Sequence, residues 1–181
     1  MRGPRSSRSR RRGQAILEFT FVGIPMMFVL ISIFEISRGM WVYHTLAYSV
    51  KEGVRYAIVH GENCTSNGNS CPASIATIAQ KIQDAGVGLD TGPGKTMLTF
   101  KSGGVGNPPI FTTTDTCFLG DTCPLKTAQW PAFGPNQVGQ AIEIDIVTPF
   151  RSAIALFWPG SQPVSFGAFN LPASSTERIQ F

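Results

Sequence analysis

The chain has 181 residues, 43% of them hydrophobic and 14% charged, and its formal net charge is +4. Six arginines precede Gly13 with no acid among them, and the remainder carries nine basic against eleven acidic residues, a net charge of −2. This distribution argues against a broadly basic surface that binds nucleic acid. The length suits one modest domain together with an anchor.

An uncharged apolar run extends from Phe19 to Phe34, just after the basic head. About 20 helical residues cross the hydrocarbon core of a bilayer, so this run and the residues directly before it predict a membrane span. Basic residues stay on the cytoplasmic side, which predicts a cytoplasmic N-terminus and an exported remainder. A secretory signal peptide has a similar layout. The run is long for a signal peptide, however, and no small-x-small cleavage site follows it.

The helical pattern continues beyond the apolar run. Apolar or small residues recur at alternating spacings of four and three, which is typical of a helix that packs along one side. This stripe consists of Ile36, Met40, Tyr43, Ala47, Val50, Val54 and Ala57. It predicts one continuous helix from about Gln14 to His60, with Gly61 as a natural stop.

The segments after residue 60 predict a second short helix and several strands. Isoleucines at 75, 78 and 82 mark one helix face, and TMLTFKS alternates like a strand. The clearest strand is QAIEIDIVTPF, with its isoleucines facing inward and Glu143 and Asp145 facing water. Residues 102–137 are expected to form a long surface loop with a short strand near Phe111. The segment RSAIALFWPG predicts an apolar turn or short helix, and two weak strands follow it.

The predicted fold class is therefore α+β. A long N-terminal transmembrane and amphipathic helix carries a small head with a mostly antiparallel sheet. The expected division is a basic leader at 1–13, the helix at 14–60 and an exported head at 61–181.

Four cysteines lie on the side of the span that is predicted to be exported: Cys64, Cys71, Cys117 and Cys123. An even number in that setting favours disulfides over a metal site. The gaps of six and five residues differ from the CxxC spacing of zinc and redox sites. Pairing Cys64 with Cys71 and Cys117 with Cys123 is the simplest of three connectivities, and each bond would close a short polar loop.

No catalytic constellation stands out in the sequence. His44 and His60 have no nearby cysteine or acidic partner, and the HExxH, GxSxG and P-loop motifs are missing. Glu143 and Asp145 share the outer face of one strand, which favours a solvated surface over a pair of catalytic acids. We therefore expect no enzymatic activity, no cofactor and no metal.

The most specific signal lies at the mouth of the apolar run. Gly13 is followed by four residues, then by Glu18 and Phe19, and then by the apolar helix. This arrangement resembles a prepilin peptidase site, and the resemblance implies cleavage between Gly13 and Gln14, with Glu18 fifth in the mature chain.

The resemblance extends further along the helix. The segment RGQAILEFTFVGIPMMFVLISIFEISR, including Glu35 three residues before Arg38, resembles the TadE/TadG group of pseudopilins from tight-adherence pilus systems. Gln14 and Ile16 are larger than the residues that usually follow the glycine in that group. The likeness covers about a quarter of the chain.

The cost of a carboxylate at a membrane boundary gives Glu18 a physical interpretation. A charge at the centre of a membrane helix costs roughly 2.5–3.5 kcal/mol on insertion scales, and less near the boundary. Cleavage after Gly13 would create an α-amine at Gln14, one turn from Glu18, as a cationic partner within one chain or between staggered chains. The simpler alternative is an anchor whose Glu18 lies among the headgroups. Glu35 and Arg38 are placed either for an intrahelical pair or for interfacial solvation.

The resemblance implies a minor pilin-like subunit of the bacterial inner membrane with one span and an exported head. Its expected partners are other pilins and pseudopilins, the prepilin peptidase, the inner-membrane pilus assembly platform and the lipid bilayer, without nucleic acid. One alternative is a pseudopilin of another type IV pilus or of a type II secretion system. Another is a membrane-anchored module that binds a surface, and an exported enzyme is the last.

Overall fold

The computed structural model of the chain describes residues 8–60, 73–132, 134–151 and 168–180. Within these residues, two helices and four strands follow one another, with a short 3-10 turn at Cys123–Leu125. The helices are α1 (Arg8–Ile58) and α2 (Ile75–Ala85), and the strands are β1 (Met97–Gly104), β2 (Thr113–Phe118), β3 (Ala141–Arg151) and β4 (Ala168–Arg178). This architecture confirms the predicted α+β class, with a long apolar helix and a small antiparallel sheet.

Helix α1 is continuous over 51 residues and includes Pro25, so it is about 75 Å long at 1.5 Å per residue. Hydroxyl groups within and beside the apolar run are satisfied by the helix itself. Thr20, Ser32 and Ser37 each donate to the carbonyl oxygen four residues earlier at 2.8 Å. These hydrogen bonds offset the free-energy cost of placing an unpaired hydroxyl group in hydrocarbon.

The helix begins at Arg8, six residues before the predicted start. Arginine is a good helix former, and a short leader adjoining a long helix extends it at little cost because no new nucleus has to form. Gly13 therefore lies inside a helix and not at its boundary.

The four strands form one antiparallel sheet in the order β2-β1-β3-β4. In β3, Ile142, Ile144 and Ile146 are fully buried, while Glu143 and Asp145 lie on the opposite face as predicted. Alternation of apolar and polar residues places one sheet face on the core and leaves the other in water.

The inner sheet face packs against both helices in one core. Leu46, Val50, Val54 and Ala57 of α1 belong to the same buried cluster as Ile82 of α2, and with them Phe100 of β1. The helices approach closely at Gly53, because a Cβ there would lie 2.5 Å from Cγ1 of Ile82. Glycine is therefore required where α2 crosses α1.

The predicted apolar stripe on α1 is right only in its C-terminal half. Val50, Val54 and Ala57 are buried, whereas Ile36, Met40 and Tyr43 are exposed and Ala47 also faces outward. Towards the N-terminus, the buried stripe continues through Leu46 and half-buried Val42. Four residues turn about 400° around a helix with 3.6 residues per turn, so this buried line winds slowly around α1 and leaves the predicted heptad positions Ala47 and Tyr43 on the outer side.

Two further predictions are corrected in the second half of the chain. The long loop expected over 102–137 contains β2, which pairs with β1 from Ser102↔Thr113 to Met97↔Phe118. Its sequence TTDTCF lacks the apolar alternation that marks a strand, because an edge strand buries little. Of the two weak strands expected at the C-terminus, the second, SSTERIQF, falls largely within β4, which already begins at Ala168, and most of the first, PVSFGAF, lies outside the described residues. The apolar turn predicted after Arg151 lies outside the described residues.

The predicted Cys117–Cys123 disulfide is confirmed. It links the end of β2 to the start of the 3-10 turn, with the Cα atoms 5.0 Å apart. Both cysteines are buried in the core cluster. The predicted Cys64–Cys71 pair lies outside the described residues.

Candidate membrane anchor and assembly segment

The apolar run of α1 is uncovered on every side. Within the described part of the chain, α1 is the one helix that is long and apolar enough to cross a membrane, and none of its most apolar stretch is buried by the protein. Each of the following side chains is more than half exposed: Ile16, Leu17, Phe19, Phe21, Val22, Ile24, Met26, Met27, Phe28, Val29, Leu30, Ile33 and Phe34. Such a surface needs lipid or partner helices around it, which fits a single-pass membrane protein.

The predicted cleavage position lies in an open part of this helix. A Cβ added to Gly13 would meet no atom within 4 Å, so neither packing nor an unusual backbone angle requires glycine there. A mid-helix glycine costs roughly 0.5–1 kcal/mol relative to alanine. The glycine therefore weakens the helix locally, at the bond where cleavage is predicted.

Gln14 and Glu18 contact each other across one helical turn. The amide Nε2 of Gln14 donates to Oε1 of Glu18 at 3.2 Å. Both residues are exposed. Glu18 therefore has a neutral side-chain amide as a hydrogen-bond partner in this structure.

Phe19 points away from the protein and is 78% exposed. Its ring covers the small residue one turn later, lying 3.6 Å from where a Cβ of Gly23 would be. A large flat side chain over a glycine gives a locally shaped apolar surface, suited to close approach by another helix.

Glu35 and Arg38 form the predicted intrahelical pair, with Arg38 Nη2 at 3.6 Å from Glu35 Oε2. Glu35 is only 8% exposed, although it lies next to the apolar run. The Arg38 guanidinium also lies over the ring of Phe150, 4.5 Å from its centroid. Glu35 and Arg38 therefore mark the level at which α1 leaves the apolar run and meets the sheet domain.

The anchor segment matches a known family. Residues 13–55 match the family model described as TadE-like protein. Over these residues the chain is TadE-like. The match includes Gly13, Gln14, Glu18, Glu35 and Arg38, and it confirms the resemblance inferred from the sequence.

The TadE-like match covers α1 to within three residues of its end and leaves the rest of the head unmatched. Comparison with curated proteins and with solved structures gave no significant match. The likeness to known proteins is therefore confined to the anchor segment, and the chemistry of the head has to be read from its own residues.

On the outer sheet face beyond the TadE-like segment, three charged side chains meet. Lys101 Nζ lies 2.5 Å from Glu143 Oε1 and 2.7 Å from Asp145 Oδ2. The hydroxyl of Thr176 donates to the second oxygen of Glu143 at 2.7 Å. Sequence alternation had placed both acids on this face. Alternation in TMLTFKS likewise puts Lys101 on one face of its strand with Met97 and Thr99, but the pairing of β1 with β3 that brings Lys101 to the acids is not visible in either local pattern.

These contacts shift the pKa values of two of the groups. Hydrogen bonds to Asp145 and then Glu143 raise the pKa of Lys101 above its ordinary value. Burial alone would raise the pKa of Glu143, but hydrogen bonds from Lys101 and Thr176 outweigh it and lower that pKa. Since the folded-state pKa of Glu143 is lowered, its contribution is present above the unfolded value of 4.5 and is lost as pH falls through the folded value.

Lys101→Gln is expected to reduce the free energy of unfolding at pH 7 by about 1 kcal/mol, because two adjacent carboxylates lose their shared cation. The difference from wild type should shrink as pH falls below 4.5 and through the lowered folded-state pKa of Glu143, because that carboxylate becomes protonated. Chemical denaturation at a series of pH values measures this. The matched control is Lys95→Gln, which breaks the more exposed 2.7 Å pair with Asp90. A difference independent of pH, or an equal loss in the control, would contradict the prediction.

The two histidines considered for catalysis lie on α1 or just after its end, and neither belongs to the cluster of Lys101, Glu143 and Asp145. His44 is exposed on α1, and the ring of His60 stacks on Tyr56 with centroids 4.1 Å apart. Among the residues that the structure describes, no group of three or more His, Cys, Asp or Glu is placed to hold a metal ion.

An open groove of about 470 Å³ lies beside the edge strand β2. Thr113, Thr114 and Asp115 line one side, and the segment from Leu125 to Trp130 lines the other. An ion pair between Lys126 and Asp115 lies within the groove. The lining combines these polar groups with apolar side chains such as Ile75, Leu125 and Trp130, and the lining residues place no nucleophile and base together for chemistry.

Proposed function

We propose that this chain is a minor pilin-like subunit that is anchored in the bacterial inner membrane and takes part in assembling a tight-adherence pilus. The observation that carries the proposal is the uncovered apolar helix, because it places Gly13, Gln14, Glu18 and Phe19 within a TadE-like segment. A subunit that has to pack against other helices needs a helix of this kind, whereas a soluble domain would cover it.

The proposed membrane topology follows from the positive charges that precede the apolar run. The arginines ahead of Gly13 keep the N-terminus in the cytoplasm, so the sheet domain is exported. An oxidising exported environment also suits the Cys117–Cys123 disulfide.

Processing prepares the helix for assembly. A prepilin peptidase cuts between Gly13 and Gln14 and removes six arginines from the chain. The new α-amine at Gln14 then neutralises Glu18, either in the same chain or in a neighbour shifted along the filament axis. The partners are therefore other pilins and pseudopilins, the peptidase, the inner-membrane assembly platform and the bilayer. In this role the chain acts as a structural subunit and not as an enzyme.

Deleting the gene in its host is expected to abolish or sharply reduce surface pili, and expressing the full chain should restore them. Electron microscopy and the pilin content of the sheared surface fraction are the measurements. Secretion of exported proteins serves as the control, because its loss with normal piliation would favour a type II secretion pseudopilin. Normal pili and normal secretion would instead favour an anchored binding module, for which the groove beside β2 is the candidate surface.

A further inference from the structure

We propose that the end of the head nearest the apolar run lies in the interfacial layer of the bilayer. The lipid contacts are Trp41 of α1, Val87 after α2 and Phe169 of β4, which we call the membrane-side collar. The inference rests on the membrane anchoring in the proposed function and adds a lipid-binding surface on the folded head itself.

Contacts with α1 hold the three parts of the collar at about the same height along the axis of that helix. The ring of Phe150 lies 3.7 Å from where a Cβ of Gly39 would be. Phe150 pairs in register with Phe169, with ring centroids 5.1 Å apart. Two residues further along α1, the Trp41 ring lies directly under Gly88, so that a Cβ there would be 2.9 Å from it.

The position of this level along α1 coincides with the headgroup region. The apolar run ends at Phe34, so Gly39 and Trp41 follow at about 8 and 10 Å along the helix axis. The headgroup layer extends roughly 5–8 Å beyond the hydrocarbon on each side. Phe150, Phe169 and Trp41 therefore lie in this layer or at its outer edge, in a helix that stands close to the membrane normal.

The chemistry of the collar suits this layer. Trp41 is 54% exposed, Val87 69% and Phe169 52%. Tryptophan is enriched at membrane interfaces because its ring is apolar and its N–H can donate to headgroups. Arg38 lies at the same level with 39% of its side chain exposed, so its cation can face phosphate oxygens while its stem covers Phe150.

Exposure alone does not single out lipid, because apolar residues are also exposed elsewhere on the head. Val105 and Ile110, which follow β1, are 62% and 77% exposed. They lie beyond the opposite end of β1 from Met97, which pairs with Val147 near the Phe150 end of β3. Position relative to the apolar run distinguishes the two surfaces, and this provides matched controls.

The test uses the full-length chain in liposomes of phosphatidylcholine and phosphatidylglycerol. A benzophenone amino acid replaces Val87 or Phe169 in two variants, and Val105 or Ile110 in two controls of similar exposure. After irradiation, mass spectrometry should find roughly tenfold more lipid adducts at 87 and 169 than at 105 and 110, because only the collar lies within the lipid layer. Quenching of tryptophan fluorescence by brominated lipid provides a second readout, which Trp41→Phe should reduce.

Flotation of the liposomes separates the possible failures. A chain that floats but labels lipid equally at all four positions, or keeps its quenching in Trp41→Phe, overturns the lipid contact and leaves the anchoring intact. Adducts between two copies of the chain at 87 or 169 also overturn it, since the collar would then be a contact between subunits. A chain that fails to float overturns the anchoring and this inference together.

Discussion

Replacing Gly13 with alanine is expected to leave the chain uncut in the membrane, with its six leader arginines retained. The physical reason is local. Alanine strengthens the helix at this point by roughly 0.5–1 kcal/mol, and it adds a methyl group at the bond that the peptidase must reach. N-terminal sequencing and gel mobility of the protein from its own host are the measurements. Wild type should begin at Gln14, and the variant at its original N-terminus.

The structure makes this result interpretable, because the added methyl group clashes with nothing. A Cβ at Gly13 has no neighbour within 4 Å, so a processing defect cannot be ascribed to misfolding. Gly39→Ala is the matched control: it lies on the same helix, and its Cβ would make an ordinary 3.7 Å contact with Phe150. Normal cutting of Gly13→Ala, or a wild-type N-terminus beyond Phe34, would contradict the peptidase site.

Glu18→Gln is expected to abolish or severely reduce pilus assembly while the head is still inserted and exported. Topology depends on the arginines and the apolar run, and the substitution changes neither. The α-amine of Gln14 would lose its charged acceptor in a poorly hydrated place, where a charge-assisted hydrogen bond is strong. Piliation and crosslinking to other pilins, at equal protein levels, are the measurements.

A second glutamine substitution on the same helix serves as the control for Glu18→Gln. Glu52 pairs with Arg55 at 2.9 Å in the half of α1 that follows the apolar run, and Glu52→Gln removes a carboxylate there at a cost of only a few tenths of a kcal/mol. It should leave piliation unchanged. If the Glu18→Gln variant also assembles pili normally, Glu18 simply lies among the lipid headgroups. The carboxylate then needs no cationic partner for assembly.

Strong periodic signals in the sequence predicted the structure well. The apolar run and the isoleucines of β3 were assigned correctly. The first pattern reflects a helix with apolar surroundings on all sides, and the second reflects a strand with one buried face. Cys117–Cys123 was also paired correctly, since a short loop brings its ends together at little entropic cost. The heptad stripe was wrong below Val50, because the buried line there runs through Leu46 and Val42 and not through the predicted Ala47 and Tyr43.

Other features depended on contacts between distant segments and could not be read from local patterns. Lys101 belongs with Glu143 and Asp145 only because β1 pairs with β3 in a particular register. Strand β2 was expected only as a short strand near Phe111, and its true range, Thr113–Phe118, was not visible because its polar sequence is held in place by its neighbour and by a disulfide. The need for glycine at position 53 likewise appears only once α2 crosses α1.

Helix α1 and the sheet share one core, and this limits where a protease could release the head from the helix as a folded fragment. Leu46, Val50, Val54 and Ala57 supply a fully buried side of that core. A fragment cut at the end of the helix would keep all four strands and yet expose Phe100 and its neighbours to water, at a cost of roughly 25 cal/mol per Å² of uncovered apolar surface. A protease that sheds a soluble, folded head therefore has to cut before Val42, near the membrane surface. Cleavage in the segment that follows Ile58 would yield an aggregating fragment instead of a free domain.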